Sequence, residues 1–105
     1  MMEREKLACK IEELMNTLDK RSELGKVWHS LSEGERRRIA EKIAERALEE
    51  FSNRPRLRNV LIVPWLPPRG HLGQGCKCLR ISRDGELYFY KAQGDWGCVL
   101  GLESF

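Results

Sequence analysis

The spacing of apolar residues predicts helices in the first half of the chain and strands in the second. Residues 3–19 carry an apolar stripe, and a shorter apolar face near residues 23–30 predicts a second helix. The third helix is the clearest, because Ser32 and Glu35 form a capping box and Pro55 follows its end. The apolar positions of the three helices are Leu7, Ile11, Leu14 and Leu18; Leu24, Val27, Trp28 and Leu31; Ile39, Ala40, Ile43, Ala44, Ala47 and Phe51.

Beyond Pro55 the pattern is typical of a sheet. Residues 59–63, Asn-Val-Leu-Ile-Val, form a continuous run rich in β-branched residues, which predicts a strand buried on both faces. Two further strands, at residues 76–82 and 87–91, flank a hairpin turn, and residues 96–102 predict a last strand. Helices followed by strands indicate an α+β fold, with three N-terminal helices packed on one face of a C-terminal, mainly antiparallel four-stranded sheet. We expect a single domain over residues 1–105, with a helical half (1–53) and a basic β half (54–105).

The turn Arg83-Asp84-Gly85 allows two hairpin registers. A two-residue turn at Asp84-Gly85 would pair Ile81 with Tyr88 and Arg80 with Phe89. A three-residue turn with Gly85 in the left-handed region would pair Ile81 with Leu87 and Leu79 with Phe89. The second register is favoured, because it gathers the aliphatic side chains on one face. It leaves Cys78, Arg80, Tyr88 and Tyr90 on the other face.

Charge separates the two halves more than the net charge of +3 suggests. Residues 1–53 carry 11 Lys and Arg against 12 Asp and Glu, whereas residues 54–105 carry 8 against 4. An acidic partner would therefore meet the second half. No apolar run approaches the ~20 residues that span a bilayer, and the first residues lack the apolar core of a signal peptide. The sequence predicts a cytoplasmic protein that does not enter the membrane.

The segment between the first two predicted strands contains two short patterns. Val63-Pro-Trp-Leu-Pro-Pro-Arg69 resembles ligands of the proline-binding Src-homology domains. The favoured interpretation is a stiff connection between strands, because such ligands usually lie in flexible tails. The following segment, residues 70–75, is rich in glycine, but a strand rather than a helix follows it and no Lys-Ser or Lys-Thr pair closes it, so a nucleotide-binding loop is not indicated.

Four residues of the second half could serve as zinc ligands. These are His71, Cys76, Cys78 and Cys98. The Cys-x-Cys spacing argues against zinc, because structural sites usually place two to four residues between paired cysteines. Small, reduced cysteines without a metal are the favoured interpretation, and neither a metal nor another cofactor is expected. A small zinc-binding module remains an alternative.

Catalysis has little support in the sequence. A cysteine nucleophile needs a nearby base, and His29 and His71 are the only histidines. No histidine follows Cys76, and carboxylates are scarce in the second half. We therefore expect a protein that is not an enzyme.

A set of basic and aromatic residues in the second half suggests a binding surface. Arginines beside aromatic rings make hot spots in protein interfaces, and they also bind single-stranded nucleic acid by stacking. We expect a small non-catalytic protein-binding module, such as a regulator, an adaptor or an inhibitor from a mobile element, that engages an acidic partner. A single-stranded nucleic-acid-binding protein is the alternative. The candidate partner-binding residues are Arg56, Arg58, Trp65, Arg69, Arg80, Tyr88 and Tyr90.

Overall fold

The computed structural model describes residues 3–62, 77–91 and 103–104. Helices come first and strands follow, so the predicted α+β class is confirmed. The helices pack together with a three-stranded antiparallel sheet. The elements are α1 (Arg4–Asn16), α2 (Glu23–Ser30), α3 (Glu33–Asn53), β1 (Asn59–Ile62), β2 (Lys77–Ser82) and β3 (Leu87–Lys91).

Helix α1 ends at Asn16, three residues earlier than its pattern suggested, and of the predicted apolar stripe it leaves Leu14 half-buried while Met15 is fully buried. At the end of α1, Oδ1 of Asn16 accepts a hydrogen bond from Trp28 Nε1 at 2.9 Å. Trp28 in α2 is fully buried, so this bond satisfies the indole N–H inside the core. The buried apolar residues of α1 and of the turn after it are Leu7, Ala8, Ile11, Met15 and Leu18.

Helix α2 contains a glycine for a steric reason. The Ser22 side chain caps the helix by accepting from the Gly25 N–H at 3.0 Å. This turn brings the Asp19 carbonyl so close to Gly25 that a Cβ there would overlap it. Glycine is unfavourable inside a helix, but the close approach of the backbone requires it at this position.

The predicted capping box begins α3. The Glu35 N–H donates to Ser32 Oγ at 3.2 Å, and the Ser32 N–H donates to Glu35 Oε1 at 3.1 Å. Glu41 lies one turn from Arg37 on the same helix, but the Arg37 Nε lies 2.8 Å from Oε2 of Glu12 on α1 instead. This cross-helix pair and the ion pair between Arg4 and Glu45 join α1 to α3.

In the sheet, β2 lies between β1 and β3, and both pairings are antiparallel. The two-residue segment Glu103–Ser104 pairs antiparallel with the other edge of β1. The last strand predicted at residues 96–102 lies outside the described residues, as does the predicted connection at residues 64–75. The expected four-stranded sheet is thus described as three strands and this short pairing.

One buried core contains side chains from all three helices and from the first two strands. Val60 and Ile62 of β1 join it together with Leu79 and Ile81 of β2. Leu61 points to the opposite face and is also only 3% exposed. Strand β1 is therefore buried on both faces, as its continuous β-branched run predicted.

Candidate functional site

The hairpin of β2 and β3 adopts the favoured three-residue register. Ile81 pairs with Leu87, and Leu79 pairs with Phe89. The Gly85 N–H donates to the Ser82 carbonyl at 2.9 Å, and Gly85 has φ of 90°. Only glycine adopts this conformation without strain, so the turn sequence sets the register.

This register places Arg80 directly opposite Tyr88 on the sheet face away from the helical core. Arg80 Cζ lies 5.5 Å from the centroid of the Tyr88 ring, which is within the range of a cation–π contact. Tyr88 is 40% exposed and is the one large hydrophobic residue classed as exposed in the described part of the chain. The pair therefore presents an aromatic ring to solvent with a guanidinium held beside it.

The outer face is not uniformly accessible. Leu61 is the neighbour of Arg80 on β1, and it is buried whereas Tyr88 is exposed. The accessible part of this face therefore lies at the β2–β3 side, close to the hairpin turn.

Of the arginines before β1, Arg58 lies nearest to the pair. Arg58 and Arg80 line the same depression, which has a volume of about 470 Å³ and is also lined by Tyr88. Arg56 is exposed but does not line this depression. Arg54 pairs instead with Glu50, with 3.3 Å between Nε and Oε2.

Arg83 joins the hairpin turn to the end of α3. The sequence indicated only that it is a turn residue. Its Nε donates to the Leu57 carbonyl at 2.9 Å. One terminal nitrogen donates to the carbonyls of Phe51 at 3.2 Å and Arg54 at 2.8 Å. Its positive charge thus meets the C-terminal end of α3, where helix carbonyls lack partners. No local pattern announces this role, because all three acceptors lie in another part of the sequence.

Three further residues belong to the predicted partner-binding set: Trp65, Arg69 and Tyr90. Trp65 and Arg69 lie outside the described residues. Tyr90 is paired with Cys78 along the hairpin, so the backbone register assigns both to the same face as Tyr88. The described site therefore consists of Arg58, Arg80 and Tyr88, with Arg83 holding the turn.

None of the four possible zinc ligands has a side chain within the described part of the protein. His71, Cys76 and Cys98 lie outside the described residues, and so does the side chain of Cys78. Within residues 3–62, 77–91 and 103–104, no group of three or more His, Cys, Asp or Glu side chains could hold a metal ion. His29 lies in α2 and its Nε2 is 2.8 Å from the Leu18 carbonyl oxygen.

None of the described helices combines the length and apolar character that crossing a membrane requires. Comparison of the chain with protein-family models, with curated proteins and with solved structures found no match.

Proposed function

We propose that this protein is a small non-catalytic module, a regulator, adaptor or inhibitor, that binds an acidic surface of another protein through its hairpin face. The observation that carries the proposal is the exposed Tyr88 ring with the Arg80 guanidinium against it. Tyrosine and arginine are enriched in the hot spots of protein interfaces, and an ordered pair loses little side-chain entropy on binding. Arg58 adds a second positive charge beside the ring.

Four further residues belong to the proposed binding surface. Tyr90 belongs to it by register, Arg56 by its exposed position ahead of β1, and Trp65 and Arg69 by sequence alone. We also propose a complete fourth strand along the edge of β1. The three helices are proposed to pack on the sheet face opposite to Arg80 and Tyr88. The pairing of Glu103–Ser104 with β1 supports the fourth strand.

A location inside the cell also belongs to the proposal. Cys9 is free and exposed, and free exposed thiols persist best in a reducing compartment.

Single-stranded nucleic acid is the second candidate partner, because stacking on Tyr88 and phosphate contact with Arg58 and Arg80 would serve it equally well. Two carboxylates favour protein instead. Asp84 and Glu86 line the same depression as the arginines, and they would repel a phosphate backbone running past it. A protein partner can place a single acidic side chain beside the arginines and keep away from both carboxylates.

The test compares both candidates on the same variants. The immobilised chain captures proteins from a cell lysate, and mass spectrometry identifies them for wild type, Arg80→Ala and Tyr88→Ala. Lys42→Ala is the matched control, since Lys42 is an exposed cation on α3, remote in sequence from the hairpin. One complex should weaken by ~1–2 kcal/mol or more in both hairpin variants and stay unchanged in the control.

The same four proteins are then titrated with labelled single-stranded DNA and RNA at low and at physiological salt. We expect no useful affinity at physiological salt. Binding that falls steeply with salt, quenches Tyr fluorescence and disappears in both hairpin variants would replace the protein partner by nucleic acid.

A further inference from the structure

Two adjoining depressions flank Tyr88. The first is the arginine depression of about 470 Å³, lined by Arg58 and Arg80. The second, which we call the α1 groove, has a volume of about 560 Å³ and runs between α1 and the hairpin. Leu14 and Leu87 line the groove, and Tyr88 lines both depressions. A single bound chain segment could therefore fill both by passing over the tyrosine ring.

The geometry points to one occupant: a partner segment that places one carboxylate in the arginine depression and one bulky apolar side chain in the α1 groove. This inference rests on the proposed function and specifies the partner's chemistry. The partner is then expected to carry a short motif of two unlike side chains, one on each side of Tyr88, and does not need a generally acidic surface.

The arginine depression suits a single carboxylate. Arg58 takes part in none of the ion pairs found among the described residues, so its charge is available to a ligand. Asn59 and Ser82 add polar groups to the same depression. Asp84 and Glu86 also line it, and their charges oppose a second acidic group nearby. The depression thereby favours one carboxylate over an acidic run.

The α1 groove suits an apolar side chain. Leu14 and Leu87 both pack against the core and remain only half-buried, so they leave apolar surface within the groove. Covering this surface removes it from water, which drives association. Lys10, Glu13 and Glu86 also line the groove, and their one positive and two negative charges do not favour an acidic occupant.

Both depressions are held in shape before any ligand arrives. Arg83 fixes the turn to the end of α3 through three carbonyl oxygens. From the other side, Lys10 Nζ donates to the Gly85 carbonyl at 3.4 Å and so connects α1 to the same turn. A preorganised surface loses less freedom on binding, so a short segment can bind with useful affinity.

A displayed library of random dodecapeptides, selected on the immobilised full-length chain, tests the inference. The enriched peptides should share one Asp or Glu and one bulky apolar residue at a constant spacing. A labelled peptide with the enriched sequence is then titrated by fluorescence anisotropy. Replacing its acid by the corresponding amide, or its apolar residue by serine, should weaken binding about tenfold each.

Variants of the protein assign each half of the motif to its depression. Arg58→Ala should weaken binding of the peptide about tenfold. This variant should have no effect on binding of the peptide that lacks the acid. Lys42→Ala is the control, because Lys42 is an exposed cation on α3 that lines neither depression. Glu13→Trp should also weaken binding, because the new side chain would fill the groove from an exposed position on α1. Glu49→Trp should not, because Glu49 is an exposed residue of α3 that does not line the groove.

The outcomes separate this inference from the proposed function. Failure to enrich any motif, a motif without an apolar position, or equal effects of Glu13→Trp and Glu49→Trp would overturn the inference. If the selected peptides still lose binding in Tyr88→Ala and Arg80→Ala, the hairpin face stands as the binding surface. If those two variants bind the peptides normally, both proposals fail.

Discussion

The guanidinium of Arg83 lies 5.1 Å from the centroid of the Phe51 ring and joins the hairpin turn to the end of α3. The same side chain donates to three carbonyls. The backbone N–H of Arg83 donates to the Arg58 carbonyl at 2.8 Å. One residue therefore satisfies backbone groups at the junction of the helical and β halves. The position of the candidate site relative to α3 depends on it.

Replacing Arg83 by alanine should lower the free energy of unfolding by about 2 kcal/mol, because carbonyls at the junction lose a charged donor. Arg83→Lys should recover little of this, since an ammonium group cannot reproduce the planar fork that serves several acceptors. Urea denaturation followed by circular dichroism measures both. Arg56→Ala, at an exposed site, should stay within about 0.5 kcal/mol of wild type. Equal stabilities of the Arg83→Ala and Arg56→Ala proteins would contradict the assignment.

Two helical glycines should respond to alanine in opposite ways. Gly25→Ala should destabilise the protein by about 1–3 kcal/mol, because its Cβ would overlap the Asp19 carbonyl and force the turn to move. Gly34 has no neighbouring atom near the corresponding Cβ position. Gly34→Ala should therefore stabilise the protein by up to about 1 kcal/mol through helix propensity. Thermal unfolding of the two variants gives the comparison, and a shift of the same sign in both would refute the steric explanation.

The elements that the sequence predicted well are those whose signals are local. The capping box of Ser32 and Glu35 lies within one helical turn, and the aliphatic pairing of Ile81 with Leu87 follows from side-chain alternation around one turn. Arg80 and Tyr88 were placed on one face by the same reasoning. In each case the residues that decide the structure are close in sequence.

The features that the sequence did not predict depend on distant partners. Arg83 lies in a turn, and nothing near it indicates that its acceptors follow α3. The long side chain of Arg37 can reach either Glu41 on its own helix or Glu12 on another, and only the packing of α1 on α3 decides between them. The α1 groove likewise arises where a helix and a hairpin meet, so no single segment encodes it.

The cysteine spacing yields a prediction about metal content. Protein purified without a chelator should contain much less than one zinc ion per chain by elemental analysis, because Cys-x-Cys on a strand spaces the two sulfurs by ~7 Å. Cys78→Ser should then leave the far-ultraviolet circular dichroism unchanged. Stoichiometric zinc that is lost together with structure in this variant would establish the zinc-binding module instead.

The capping box should make part of the stability of α3 depend on pH. Hydrogen bonds from the Ser32 backbone and side chain, and then the nearby charge of Arg38, hold the pKa of the Glu35 carboxyl below its usual value. A carboxyl whose pKa is lowered by folding stabilises the native state above its unfolded pKa. That contribution disappears as the pH falls through the folded pKa. Glu35→Gln keeps an acceptor for the Ser32 N–H but cannot ionise.

The Glu35→Gln protein should therefore lose less stability than wild type as the pH falls from neutral to about pH 3. Urea midpoints at a series of pH values measure the difference between the two proteins. The difference should persist at high salt, because the hydrogen bonds of Ser32 contribute more than the charge of Arg38 and salt screens only the latter. Parallel pH profiles would show that the capping carboxylate does not contribute, and a difference confined to low salt would assign the effect to Arg38.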